Sequence, residues 1–162
     1  FCCYAGMRYS DFTNLSKKNI VDINQETWLI YKSVKTGTEV RLPLYLLFAG
    51  KGIVILNKYR NNLEDFFRLR DNSNINKDLI IIAKLAGLSK KISFHTARHT
   101  NATLLIYNGV NITTVQKLLG HKSVKTTQVY TNIMDMTIVH DLEKIKQAAL
   151  GIKKKTDNSF NK

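Results

Sequence analysis

Acidic residues are scarce in this chain of 162: 12 Asp and Glu stand against 25 Lys and Arg, a formal charge of +13. So large an excess repels itself in the folded state, and a polyanionic partner is the usual reason to carry it. Nucleic acid is the leading expectation, ahead of an anionic membrane surface or a merely very soluble basic protein. Cysteine is scarcer still. Cys2 and Cys3 are adjacent, which excludes a disulfide framework and metal-ligand spacing alike. They read as reduced thiols of an intracellular protein. No stretch approaches the ~20 apolar residues needed to span a bilayer. No signal peptide, internal repeat or carboxylate cluster of metal-binding type is visible. The chain opens on Phe1 inside an apolar run, with the look of a cut edge of a longer protein, so a missing leader carries little weight.

What is present is one domain's worth of chain, 44% apolar and long enough for a real core. FCCYAG (1–6) reads as the end of a buried helix, and 11–15 as another short one. TWLIYKSVK, a turn at Thr36-Gly37 and TEVRLPL predict a β-hairpin with Lys35 near its tip. The single proline, Pro43, marks that strand's end or an edge position. Short helices are expected within 44–58, and 57–74 is polar with a weakly helical centre. Leu79, Ile82, Ala83 and Ala86 recur at helical spacing over 76–86, before Gly87. Ser93 is a plausible cap for a helix running to about Tyr107, and Thr113 or Thr114 for the next, with Val115, Leu118 and Leu119 on one face. Ser123 suits a short helix containing Tyr130. A last helix is expected over 135–150, with Ile138, Leu142, Ile145 and Ala149 in a stripe, before a basic tail at 151–162. The expected fold is mainly α with one small antiparallel sheet.

Several polar residues stand out against this frame. In SFHTARHT, His95 and Arg98 lie three apart and share a helix face. Arg98 has Ala97, Ala102 and Leu105 about it, so its stem is drawn inward, and a guanidinium out of water needs an anion or a carboxylate. Taken alone it reads first as a structural arginine paired with an acid. His99 is read as facing elsewhere, a hydrogen-bonded core histidine. Arg8, among small and apolar neighbours, has Asp11 three residues on to hold its fork. Lys35 at a hairpin tip suits solubility as well as it suits a ligand. His121 follows a helix end, and Tyr130, in a threonine-rich segment, is singly more often an aromatic anchor than a nucleophile.

Together these residues resemble the tyrosine recombinase/integrase family. LLGHKSVKTTQVYTNI looks like its LLGH-x8-Y signature, ISFHTARHTNATLLIYNG like the segment before it, GMRYSDFTNL like its first-arginine motif and VKTGTEVRLPL like its catalytic-lysine hairpin. INKDLIIIAKLAGLSKKISFH fits the family's helix leading into the His-x-x-Arg motif. The likeness covers nearly the whole chain and is closest to integrases of mobile elements in Bacteroides-type bacteria. It implies the DNA breaking-rejoining catalytic-domain fold across 1–162, without the family's N-terminal DNA-binding domain or most of the first catalytic-domain helix. Asn101 departs from the pattern, since phenylalanine is common there.

The resemblance assigns roles residue by residue. Arg8 and Arg98 become the phosphate-clamping arginines, with Asp11 supporting the first. Lys35 becomes the general acid for the leaving 5′ oxygen, His95 and His121 the proton-handling and phosphate-contacting groups, and Tyr130 the nucleophile. The chemistry suits those residue types. Extra negative charge on the equatorial oxygens of a phosphorane-like state calls for parallel cationic donors, which here replace metal ions. No cofactor is implied. The partners implied are double-stranded DNA and a homo-oligomer, a tetramer on DNA, with an accessory DNA-bending protein as an option and no membrane. The C-terminal helix packs either on a neighbouring subunit or on its own core. The implied location is the bacterial cytoplasm, at the nucleoid. Two alternatives stay open at this point: a type IB-like topoisomerase, which religates the same strand, and a non-enzymatic DNA-binding module.

Overall fold

The computed structural model of the chain describes residues 1–131 together with 142, 143, 145 and 146. Two short helices open it, α1 (Cys2–Ala5) and α2 (Tyr9–Thr13), followed by strands β1 (Ile20–Ile23), β2 (Glu26–Lys32) and β3 (Glu39–Pro43). Helices α3 (Lys51–Lys58), α4 (Leu63–Phe67), α5 (Asn72–Leu85), α6 (Phe94–Tyr107), α7 (Ile112–Leu118) and α8 (Lys125–Gln128) complete it. The mainly helical expectation with a small antiparallel sheet is met.

The sheet has the order β1-β2-β3, one strand more than the hairpin read from sequence. Leu29 pairs with Leu42 and Tyr31 with Val40, and all four turn to the core while Arg41 and Lys32 face out. Pro43 sits at the end of β3, an edge strand, where its missing N–H costs the sheet nothing. Strand β1 is short and polar at Asp22. Its turn to β2 runs through Asn24 and Gln25, both at positive φ (52° and 66°) without a glycine, so the usual hairpin signal is absent.

Phe12, Phe67, Met7, Leu44, Ala102, Val115 and Leu119 join the sheet's inner face in one core. Helix α6 runs through it, packed on α1, α5 and α7. Ser93 and Thr96 form a capping box at its start, as the sequence suggests. Helix α7 is capped by Asn111, whose carboxamide accepts the Thr113 amide, and not by Thr113 or Thr114. Helix α5 begins four residues earlier than expected, where Asp71 accepts from the Asn74 amide. Its expected stripe is only partly buried: Ala83 is inside, but Ile82 and Ala86 are exposed. Helix α8 ends before Tyr130, which lies in the following turn, although the Ser123 hydroxyl does receive the Lys125 amide. The expected helix over 135–150 and the tail at 151–162 lie outside the described residues, apart from the helical positions 142, 143, 145 and 146.

Two glycines let backbones close on the site. Gly6, at φ 64°, lies where a Cβ would sit 2.5 Å from Asn101 Oδ1 and 2.9 Å from Leu119 Cδ2. The departure at Asn101 is accommodated here, because its buried carboxamide donates to the Cys3 carbonyl at 3.1 Å. At Gly120 (φ 62°) a Cβ would meet Val40 Cγ2 at 2.6 Å, so glycine allows α7 to end against β3.

Candidate active site

Arg98 defines the centre. It is 1% exposed, and among the described residues no carboxylate lies within ion-pair distance of it. Its Nη1 donates to the Gly6 carbonyl at 2.7 Å and its Nη2 to the Leu119 carbonyl at 2.6 Å. The expected structural pairing with an acid is therefore replaced by two main-chain carbonyls, one just past α1 and one just past α7. Burial, then the neighbouring Arg8 cation, pulls its pKa down to about 10, which still leaves it charged at neutral pH. The guanidinium's fork carries more N–H donors than these two carbonyls use.

Arg8 immediately precedes α2 and is partly buried beside it. Its Nη1 donates to Ser33 Oγ at 3.1 Å and lies 3.4 Å from Asp11 Oδ2. The support expected from Asp11 is present, but that carboxylate holds more than Arg8. Fully buried, it accepts the Val34 amide at 2.8 Å and the Ser33 hydroxyl at 3.3 Å, so it ties α2 to the β2–β3 turn. Thr36 Oγ1 fastens the same turn to the Gly120 carbonyl at 3.0 Å. Lys35 projects exposed between these two anchors, and its charge is felt at His95.

His121 is buried, with Nδ1 2.9 Å from Thr127 Oγ1. Burial, then the Arg98 and Arg8 charges, depress its pKa to about 4, so the imidazole is neutral at pH 7. His95 is exposed and also lowered, by partial burial first, then by His99, Arg98, Arg8 and Lys35. Tyr130 is 5% exposed. Burial raises its phenol above the usual value, while Arg98 and Arg8 pull the other way. The structure thus gathers Arg8, Asp11, Lys35, His95, Arg98, His121 and Tyr130 into one electrostatic neighbourhood.

His99 is a correction. It is an exposed ring standing edge-on to both His95 and Tyr130, rather than a hydrogen-bonded core residue facing elsewhere. The helix explains it: His95 and His99 are one turn apart and share a face, while Arg98 between them turns inward. Ser33, Thr36 and Thr127 also support the site, and nothing in sequence marks a hydroxyl that makes such a contact.

Below the arginines, Tyr31 keeps a buried hydroxyl with no hydrogen-bond partner among the described residues. Burial and then Asp11 raise its pKa, so it stays neutral. Removing an orphaned buried hydroxyl recovers its desolvation cost, about 1–3 kcal/mol. Tyr31→Phe is therefore expected to raise the melting temperature in calorimetry; a lower one would reveal a partner for this hydroxyl.

The arrangement belongs to a recognisable class, since the fold is that of tyrosine recombinase catalytic domains. The crystal structure of XerA recombinase superposes with a TM-score of 0.70 over 88% of this chain and 54% of that one, at 28% identity. A XerH site-specific recombinase bound to palindromic difH substrate, in a post-cleavage complex, shares the fold at a TM-score of 0.64 and 21% identity, over 90% of this chain and 44% of that one. Residues 1–136 match the Phage integrase family, and the chain belongs to it. Among curated relatives, a tyrosine recombinase of Pseudothermotoga lettingae is 44% identical over 149 residues, covering 89% of this chain and 51% of that protein. Tyrosine recombinase XerC of Rickettsia prowazekii is 30% identical over 159 residues, covering 93% and 49%. The chain spans about half the length of these relatives. No helix of the described residues is long and apolar enough to cross a membrane.

Proposed function

We propose that this chain is the catalytic part of a site-specific DNA recombinase that cuts and rejoins strands through a covalent link to Tyr130. The observation that carries the reading is Arg98, a buried cation held among the described residues by carbonyls alone, next to a second guanidinium and a phenol. A fold that buries positive charge without a carboxylate partner is built for an anion that arrives later.

The Tyr130 oxygen attacks the scissile phosphorus, the bond from phosphorus to the 5′ oxygen breaks, and a 3′-phosphotyrosyl link forms. The phenol's proton passes to His95 or to water; the depressed pKa of His95 keeps it neutral and able to accept. Lys35 supplies a proton to the departing 5′ oxygen. Arg8, Arg98 and neutral His121 hold the equatorial oxygens as negative charge builds on them. A 5′ hydroxyl of a partner strand then attacks the link and releases Tyr130, so no external energy source is needed.

The names of the relatives favour recombination over topoisomerase action or simple DNA binding, and the XerH complex with difH supports duplex DNA as the partner. The likeness of the motifs to Bacteroides-type integrases supports a mobile-element role. A tetramer on DNA, an accessory bending protein and exchange of the segment at 135–150 between subunits belong to the same proposal, as does action in the bacterial nucleoid.

The test is covalent capture on a nicked suicide duplex, followed by mapping of the DNA-linked peptide. The reading requires Tyr130 on that peptide; attachment through another residue, or relaxation of supercoiled plasmid without recombinant products, would overturn it. Backbone phosphates neutralised by the +13 chain should also make DNA affinity fall roughly a hundredfold or more between about 50 and 200 mM salt. A flat salt dependence in a filter-binding titration would show that the basic surface is not the DNA surface.

A further inference from the structure

His99 is not among the residues assigned to the chemistry above, yet its ring joins two that are. It stands perpendicular to His95, with centroids 4.6 Å apart, and tilted at 62° to Tyr130, with centroids 5.4 Å apart. Both distances and both angles fall in the range where an aromatic edge meets a face favourably. Tyr130 lies past the end of α8, a helix of four residues, in a turn where its amide donates to the Thr127 carbonyl at 3.0 Å, and its ring is buried with the core. His99 belongs to α6, a 14-residue helix packed into the core and anchored by the Arg98 fork one residue earlier. The long helix therefore reaches the turn that carries the phenol through an exposed imidazole.

We propose that His99 is a positioning residue: its ring braces the Tyr130 phenol and keeps it in register with His95 and the two arginines. The inference rests on Tyr130 being the nucleophile. In-line attack tolerates little displacement of the attacking oxygen, and a misplacement of about 1 Å can cost a hundredfold in rate. The same contact gives His95 and Tyr130 a shared wall, so a proton acceptor and a proton donor are set by one side chain. After burial, the interaction with His99 is the next cause lowering the His95 pKa, consistent with two imidazoles held close.

The experiment has two arms, both on the full-length protein. The first is single-turnover adduct formation on a nicked duplex. His99→Ala should slow it roughly 10- to 100-fold with DNA affinity and melting temperature unchanged. His99→Phe, which keeps a ring edge and discards the nitrogens, should recover most of the rate. Equal losses in both variants, or a folded His99→Ala at the native rate, would overturn bracing by the ring. The second arm uses 3-fluorotyrosine at position 130, read by fluorine NMR without DNA. Its resonance should move in His99→Ala and return toward the native position in His99→Phe; an unmoved resonance would overturn the contact. Should the unsubstituted protein form no adduct, the nucleophile reading fails by itself, and the fluorine arm still decides whether the rings touch.

Discussion

Tyr130→Phe is expected to bind DNA as the parent does and to form no covalent adduct with it, a loss on the order of 10⁴-fold or more in cleavage rate. The substitution removes one oxygen and keeps the ring, so the edge contact with His99 and the burial of the side chain survive. The fold should hardly notice. That oxygen is nonetheless tuned. Burial discourages the phenolate, while Arg98 and Arg8 favour it. The balance leaves the phenol protonated at neutral pH, and a proton must leave as the bond to phosphorus forms. Gel-shift titration and denaturing gels of a nicked substrate measure the two properties separately. An adduct that persists in the variant would move the nucleophile to another residue.

Much of this site was legible because its chemistry is tied to spacing. His95 and Arg98 fall three apart on one helix, His121 follows the glycine that ends the next, and Tyr130 comes nine residues later in a polar segment. What was not legible depends on contacts between elements far apart in the chain. Ser33 reaches Asp11 and Arg8, Thr36 reaches Gly120, and Arg98 spends its donors on Gly6 and Leu119. A hydroxyl or a carbonyl gives no sequence signal of a partner 22 to 92 residues away. His99 is different, because its helical offset of four from His95 puts both on one face, a relation the sequence does carry. Local chemistry misled in two more places. A Gln in a left-handed turn position concealed β1, and the asparagines at the start of α5, poor helix formers, concealed that helix's first turn. Pairing with β2 holds the strand in the first case, and the Asp71 cap, a local contact, starts the helix in the second.

Arg98→Met should stay folded and lose cleavage by about 10²- to 10³-fold, the usual cost of deleting one donor to a developing oxyanion. Folding is expected to survive because two large terms oppose each other. Losing the guanidinium leaves the Gly6 and Leu119 carbonyls without their donors, at about 1–3 kcal/mol each. It also removes a buried cation whose desolvation costs several kcal/mol, and methionine refills most of the volume. The net change is small beside either part, so a thermal melt should move little while single-turnover cleavage collapses. The opposite pattern, a folded variant that cleaves at nearly the native rate, would make Arg98 a strut between α1 and α7 and nothing more. The distinction matters because the strut and the catalyst use the same atoms. By tying two of its donors to fixed carbonyls, the fold orients the rest before DNA arrives. The reorganisation that water or a flexible lysine would need during the reaction has then already been completed during folding.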